Sequence, residues 1–201
     1  MIRRKALSAM QKEEHSEELP SNYTAVNYLQ SSGGQWIDTG YKYGAQSGLE
    51  LTIDGSSSDG TVIGAQDSKG IFVAVFSDAL YMARKNTGWM SKIGLTHPIK
   101  IVNNEGVFTV TDSAGKTRSA TVDDSGFVGP DLTIYLFARH VTAGPKIASG
   151  TTKIYGCKFF EGGEPAADIR PCLDSAGNPC MYDVIRRRKF VNAGSGSFTW
   201  G

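Results

Sequence analysis

The sequence predicts an all-β protein, a two-sheet antiparallel sandwich preceded by a short N-terminal arm. Apolar residues recur at every second position in short runs, and glycine with small polar residues separates those runs. Beyond residue 20 no stretch of normal helix length shows a helical period. The length of 201 residues suits one large β domain. A chain of that size buries enough apolar surface to fold without a disulfide or structural metal.

Residues 1–20 stand apart from the rest. Ile2, Ala6, Leu7 and Met10 form a weak helical stripe, and Glu13, Glu14, Glu17 and Glu18 follow it. Basic residues lead and acidic ones trail, which opposes the helix dipole, so a lone helix here would fray before Pro20 stops it. Two readings stay open: an arm that orders on a neighbouring subunit, and a floppy tail. Residues 21–201 read as one domain. Leu49, Leu51 and Ile53 alternate with Glu50 and Thr52, a half-buried strand expected to end in the turn Asp54-Gly55. Ile71, Val73 and Val75 face one way and Phe72, Ala74 and Phe76 the other. A strand apolar on both faces belongs deep in the sandwich. Residues 99–102, 107–111 and 132–137 continue the series, with hairpin turns expected at 103–106 and 113–116. Runs at 153–160 and 167–172, and short ones near Tyr182, Phe190 and Phe198, complete it.

Lys plus Arg number 21 against 20 Asp plus Glu, a formal charge of +1. That balance lacks the basic excess on which nucleic-acid binding draws. The local cluster Arg186, Arg187, Arg188 and Lys189 reads either as a phosphate patch or as an exposed hairpin kept soluble by charge. No apolar run approaches the roughly 20 residues of a membrane span, and the N-terminus lacks the apolar stretch of a secretory signal. Neither nucleic acid nor membrane is an expected partner. Cys157, Cys172 and Cys180 cannot all pair within one chain, and no zinc spacing appears. Buried free thiols are expected, with Cys172 and Cys180 the one pair to test for a bridge.

Residues 28–41, YLQSSGGQWIDTGY, resemble the opening of the concanavalin A-like (laminin-G-like) jelly-roll family found in phage, prophage and gut-bacterial proteins. That opening reads Tyr-Leu, a polar Ser/Gly-rich turn, an aromatic, then Ile-Asp-Thr-Gly. Residues 152–201 are similar to the family's ending: the KIYGCKFFEGG strand, the step Ile169 to Cys172, a Ser-Ala-Gly turn, Met181-Tyr182-Asp183, Lys189-Phe190, and NAGSGSF at 192–198. The two stretches cover about a third of the chain. The resemblance implies a jelly roll in which the two motifs form the sides of one seam. Trp36, Ile37, Phe190 and Phe198 would then pack in the core or seam, while Asp38, Thr39 and Asn192 cap turns through side-chain hydrogen bonds.

Glycosidases on that fold carry Glu-x-Asp-x-Glu along one strand, and nothing here matches. The nearest pair, Glu50 and Asp54, stands roughly 13 Å apart along an extended strand, too far for sugar hydrolysis. There is no nucleophile elbow, zinc-protease helix or phosphate loop, and His15, His97 and His140 are scattered. No catalytic residue and no enzymatic activity is expected. For binding, residues 81–89 place Tyr81, Arg84, Asn86 and Trp89 along one strand and its following turn. A flat aromatic beside polar forks suits a sugar face. Arg139 and His140 form a second cluster. The plainer reading makes Tyr81 and Trp89 packing residues with a polar tip at the surface. The acidic loops at 54–60 and 122–126 are a weaker case for calcium; neither has the ligand spacing of a calcium loop, and Asp-Gly turns explain them as well. No cofactor or metal is expected.

The resemblance implies a non-enzymatic structural and adhesive component of a phage or prophage particle, a head or tail appendage. It would be made in the bacterial cytoplasm, carried in the virion and docked on other virion proteins through residues 1–20. It would face host-surface glycans as a homo-oligomer such as a trimer. The alternatives are a bacterial glycan-binding module unconnected to a virion, and a glycoside hydrolase with an unfamiliar site. One fold serves many roles, so a role carried over from it is an analogy.

Overall fold

The computed structural model describes residues 18–76, 79–85, 87–92, 94–123 and 125–201. Among the described residues every regular element is a strand. In chain order these are β1 (Thr24–Ala25), β2 (Leu29–Ser31), β3 (Ile37–Lys42), β4 (Ser47–Gln66), β5 (Ile71–Phe76), β6 (Ala79–Arg84), β7 (Thr87–Lys92), β8 (Ile99–Asn104) and β9 (Val107–Asp112). They continue as β10 (Thr117–Thr121), β11 (Thr133–Leu136), β12 (Ala138–Val141), β13 (Gly144–Ile147), β14 (Ser149–Glu161), β15 (Glu164–Leu173), β16 (Pro179–Asp183), β17 (Arg188–Phe190) and β18 (Thr199–Trp200). The helical stripe expected in the arm lies outside the described residues.

Two long strands organise the rest. β4 has 20 residues and β14 has 13, and each runs from one layer into the other. The first layer is ordered β10-β9-β8-β4-β14-β15-β16-β17, using the first half of β4 and the second half of β14. The second is β7-β6-β5-β4-β11-β3, using the second half of β4, with the β12–β13 hairpin alongside. These pairings are antiparallel; the short contact of β12 with β4 is parallel. Leu51, Ile53, Ile101, Phe108 and Phe159 of the first layer share one buried cluster with Ile63, Val73, Met82 and Leu136 of the second. The expected all-β sandwich is what the chain forms.

The turn expected at Asp54-Gly55 is absent, because β4 continues through it to Gln66. Glycine and serine there serve a crossing between layers. A Cβ at Gly55 would stand 2.8 Å from a Val75 methyl. At Gly64, where φ is +150°, it would stand 2.5 Å from the Ile71 carbonyl oxygen and hard against Phe72. At these two points β4 comes this close to β5 because no side chain stands between them. It follows that residues 54–60 are strand, not a calcium loop: Asp54 contacts Lys153 and His97, and Asp59 pairs in register with Phe76. In the second acidic loop Asp123 accepts from the Ser125 N–H, and Asp124 lies outside the described residues.

Other expectations hold in detail. The 103–106 hairpin turns through Glu105 and Gly106, both at positive φ (45° and 80°), the geometry that matches strand twist. The 113–116 hairpin turns at Gly115, φ +82°. β5 is buried on both faces, with Ile71, Val73 and Val75 in the main core and Phe72 and Ala74 in a small outer cluster with Ala83 and Tyr81. The basic cluster forms the β16–β17 hairpin. Arg186 bonds Asp183 and the Thr39 carbonyl, Arg188 lies over Phe190, and Lys189 pairs with Asp174 at 3.3 Å.

The two terminal motifs meet as one seam. Thr199 and Trp200 pair in register with Gln30 and Leu29. Gln35 donates to the Ser195 carbonyl at 3.0 Å, and Asn192 Oδ1 accepts the N–H groups of Trp36 and Gly194 at 3.2 and 2.9 Å. Asp38 accepts the Gly40 N–H; Thr39 donates to the Ile134 carbonyl and accepts the Tyr41 N–H. Ile37, Phe190 and Phe198 are buried, and half-buried Trp36 stacks on Tyr135 at 4.4 Å. The glycine-rich, irregular segment 192–198 is thereby fixed by Gln35 from the opposite end of the chain and by its own Asn192.

Candidate functional site

The outer face of the first layer carries two adjoining grooves. Alternation sets its lining. Leu49, Leu51 and Ile53 of β4 turn inward, so Glu50, Thr52 and Asp54 turn outward. Cys157 and Phe159 of β14 and Ala167 and Ile169 of β15 likewise face the core, leaving Tyr155, Lys158, Asp168 and Arg170 outside. Register then aligns them. Lys158 lies opposite Glu50 on one side and Asp168 on the other.

Charges alternate across four strands. Lys100 on β8 pairs with Glu50 at 3.0 Å, and Lys158 reaches Asp168 at 3.5 Å. Arg170 donates to Asp168 Oδ2 through Nε and a terminal nitrogen at 3.2 and 2.6 Å. Glu50 and Asp168 sit two strand spacings apart, about 10 Å, with a lysine between them. Each carboxylate is held by a cation.

Beside this row two grooves, of about 280 and 410 Å³, adjoin through Tyr155 and Arg170. The first is lined by Glu50, Thr52, Lys158 and Asp168 and floored at Gly156. A register shift falls at this point of β14. A Cβ on Gly156 would meet only the Ile169 carbonyl oxygen, at 3.6 Å, so the glycine leaves open space without being forced by packing. The second groove has a more apolar wall of Leu19, Tyr23, Val26 and Pro171. Burial raises the Tyr23 hydroxyl above its usual pKa, and its ring lies 4.7 Å from Tyr182. Half-buried Tyr155 stands 5.4 Å from Tyr28, over whose ring Lys153 sits at 4.9 Å. Tyrosine faces and both signs of charge thus line one shallow channel.

The residues singled out from the sequence lie elsewhere and divide among several places. The stretch 81–89 is two strands, not a strand and a turn: β6 ends at Arg84, and Trp89 on β7 pairs in register with Met82. Asn86 and the Trp89 side chain lie outside the described residues. Arg84 is a core residue at 1% exposure. It donates to the Ala45 and Ser47 carbonyls at 2.5 and 3.3 Å and to Asn103 Oδ1 at 3.2 Å, with its guanidinium 4.4 Å from the Phe127 ring centre. An arginine closed in this way presents nothing to an outer ligand. The pleat explains it: three positions from Tyr81, it must face the opposite side.

Tyr81 and Arg139, far apart in sequence, flank one ring. Phe72 lies 5.5 Å from Tyr81, and the Arg139 guanidinium sits 4.7 Å over it while bonding Gln66. Burial lowers the Arg139 pKa, and its Nε has no hydrogen-bond partner among the described residues. His140 goes to another place. It stacks on Tyr135 at 4.0 Å and contacts Thr133 through Nδ1. Tyr155, Arg170 and their row were missed because they are ordinary outward positions of amphipathic strands. The signal available was the pattern Lys153, Tyr155, Lys158 with Asp168 and Arg170, which becomes a site only once β14 and β15 are paired. No protein-family model matches the chain, and no curated protein matches it.

Proposed function

We propose that this chain is a non-enzymatic saccharide-binding domain of the concanavalin A-like jelly-roll kind. We further propose that it serves as an adhesive and structural part of a phage or prophage particle, and that it holds glycan in the Tyr155–Arg170 channel. The carrying observation is the alternating row beside a half-buried tyrosine. Sugar hydroxyls both donate and accept, so carboxylates and cations side by side satisfy them from either direction, while an aromatic face covers the ring's C–H surface. Against catalysis stands the chemistry of the row: cations hold both carboxylates, and neither is placed as the proton donor that glycoside cleavage needs. The particle reading rests on the resemblance of residues 28–41 and 152–201.

Titration of a saccharide panel against the full chain tests the binding site. Tyr155→Ala and Gly156→Leu, the second filling the floor, should each weaken a bound glycan by about tenfold or more with unchanged thermal stability. Undiminished binding in both variants removes the channel from the account. Mass spectrometry of purified particles tests the particle reading: the chain should co-purify with particles, and deletion of residues 1–20 should abolish its incorporation while leaving the domain folded.

A further inference from the structure

Cys172 and Cys180 sit directly opposite each other on β15 and β16, with their sulfurs 3.5 Å apart. Both are reduced and fully buried. Directly paired residues of an antiparallel ladder have Cα atoms about 4.5–5.5 Å apart, inside the range of about 4.4–6.8 Å that a disulfide spans. Closing from contact to a bond of about 2 Å therefore asks for side-chain rotation, not backbone movement. The third thiol, Cys157, belongs to the main core instead.

The pair's surroundings differ from those of an inert core thiol. Cys172, Cys180, Tyr182 and Val184 form a separate small cluster whose cover is Leu19 and Tyr23. That cover is thinly held. β1 contributes two residues, Thr24 opposite Leu173 and Ala25 opposite Cys172, and Val26 adds a 3.3 Å bond to the Pro171 carbonyl. Short, edge-held segments open locally at far lower cost than a core strand. Lys189, paired with Asp174 at 3.3 Å, stands near the cluster.

We propose that Cys172 and Cys180 are a modifiable dithiol that closes to a cross-strand disulfide with a small-molecule disulfide as oxidant, under the control of the cover formed by Leu19 and Tyr23. The Cys180 thiolate attacks one sulfur of the oxidant RSSR, forming a mixed disulfide and releasing RS⁻, which takes up a proton. The Cys172 sulfur then attacks Cys180 Sγ, loses its proton and expels the second RS⁻, which leaves as RSH. Two thiols are oxidised, and one disulfide is reduced to two RSH. Cys180 is the better first nucleophile, because the hydrogen bond from Cys172 favours its thiolate and the same bond disfavours ionisation of Cys172. The inference does not rest on the glycan reading; it needs these two strands and the Leu19–Tyr23 cover.

The test is incubation of the full native chain with oxidised glutathione, followed by denaturation, alkylation and trypsin digestion. Because trypsin spares the Arg170-Pro171 bond, both cysteines fall in the peptide spanning residues 159–186, while Cys157 falls in 154–158. The expected product is the longer peptide lighter by two hydrogens and unalkylated, with Cys157 still alkylated. Cys180→Ser should abolish that product, and the unaltered chain's peptide masses decide the matter alone if the variant does not fold. Tyr23→Ala should speed closure by about tenfold. Glutathione adducts without ring closure, or both cysteines remaining alkylatable, overturn the dithiol. An unchanged rate in Tyr23→Ala overturns the cover.

Discussion

Replacing Arg84 separates a core residue from a ligand-binding one. Its guanidinium donates to three oxygens contributed by the β3–β4 connection, β4 and β8, and lies against Phe127 and Tyr43. It thus ties β6 of the second layer to the first. Arg84→Met keeps the stem's bulk and removes the charge. The carbonyls then lose charge-assisted bonds, each worth about 1.5–3 kcal/mol, but the cost of burying a cation disappears too, several kcal/mol in the opposite direction. The balance is a loss of about 1–3 kcal/mol. Arg84→Ala adds a cavity and forfeits the ring contacts, for about 3–5 kcal/mol in all. At roughly 2–4 °C per kcal/mol for a domain of this size, the alanine variant melts about 6–20 °C lower. Urea and thermal unfolding followed by tryptophan fluorescence read the change, and saccharide titration of the still-folded methionine variant should match the unaltered chain. Stability of the alanine variant within about 0.5 kcal/mol of the original, or lost binding at unchanged stability, refutes the placement of Arg84 in the core.

Gly64→Ala should destabilise by about 2–4 kcal/mol, because its Cβ would drive into the β5 backbone; an unfolding midpoint unchanged in urea contradicts this. Asp112 should support the β9–β10 turn in a pH-dependent way. Its carboxylate is held below the usual range first by the Lys116 N–H and also by those of Thr96 and Ala114. With its folded pKa below the unfolded value, its contribution is present above about pH 4 and lost as pH falls through the lower folded value. Asp112→Asn should therefore be less stable at neutral pH, with the gap to the unaltered chain closing in acid; a gap constant from pH 7 to 2 counts against it. Saccharide affinity should change by less than about twofold between 50 and 500 mM salt, since the row alternates in sign; a steep decline would mark an anionic ligand.

What could be read from the sequence was whatever pattern and turn chemistry determine locally. Alternation identified the inward face of the first half of β4 and the two apolar faces of β5, runs of apolar residues marked β8 and β9, and Asn103 to Gly106 announced the hairpin between them. The seam was legible through the resemblance of residues 28–41 and 152–201, which gave Asp38, Thr39 and Asn192 the turn-capping places that they take. The passage through Asp54-Gly55 was not legible. The same residues that end a strand also allow one to bend, and only the place of Val75 and Phe72 in space distinguishes the two outcomes. The β6–β7 turn escaped for a related reason: Lys85 takes a positive φ of 53° with no glycine to signal it. The channel was out of reach because its parts come from β1, β4, β14 and β15, with most of the intervening chain between the second and third.

The contrast between Arg84 and Arg170 shows what decides function on this scaffold. Both lie on strands among apolar neighbours, and both carry the same fork of donors. Arg84 pairs in register with Ile71, whose side chain faces the core, so the pleat turns the guanidinium inward onto backbone carbonyls. Arg170 pairs with Tyr182 on the outer face, and its donors meet the carboxylate of Asp168 beside a gap left by Gly156. A fork closed by carbonyls can only hold layers together. One held against a carboxylate at the rim of a channel lies where a hydroxylated ligand can reach it. Parity along the strand thus places the first arginine where it holds the layers together, and the second at the channel proposed to take a ligand.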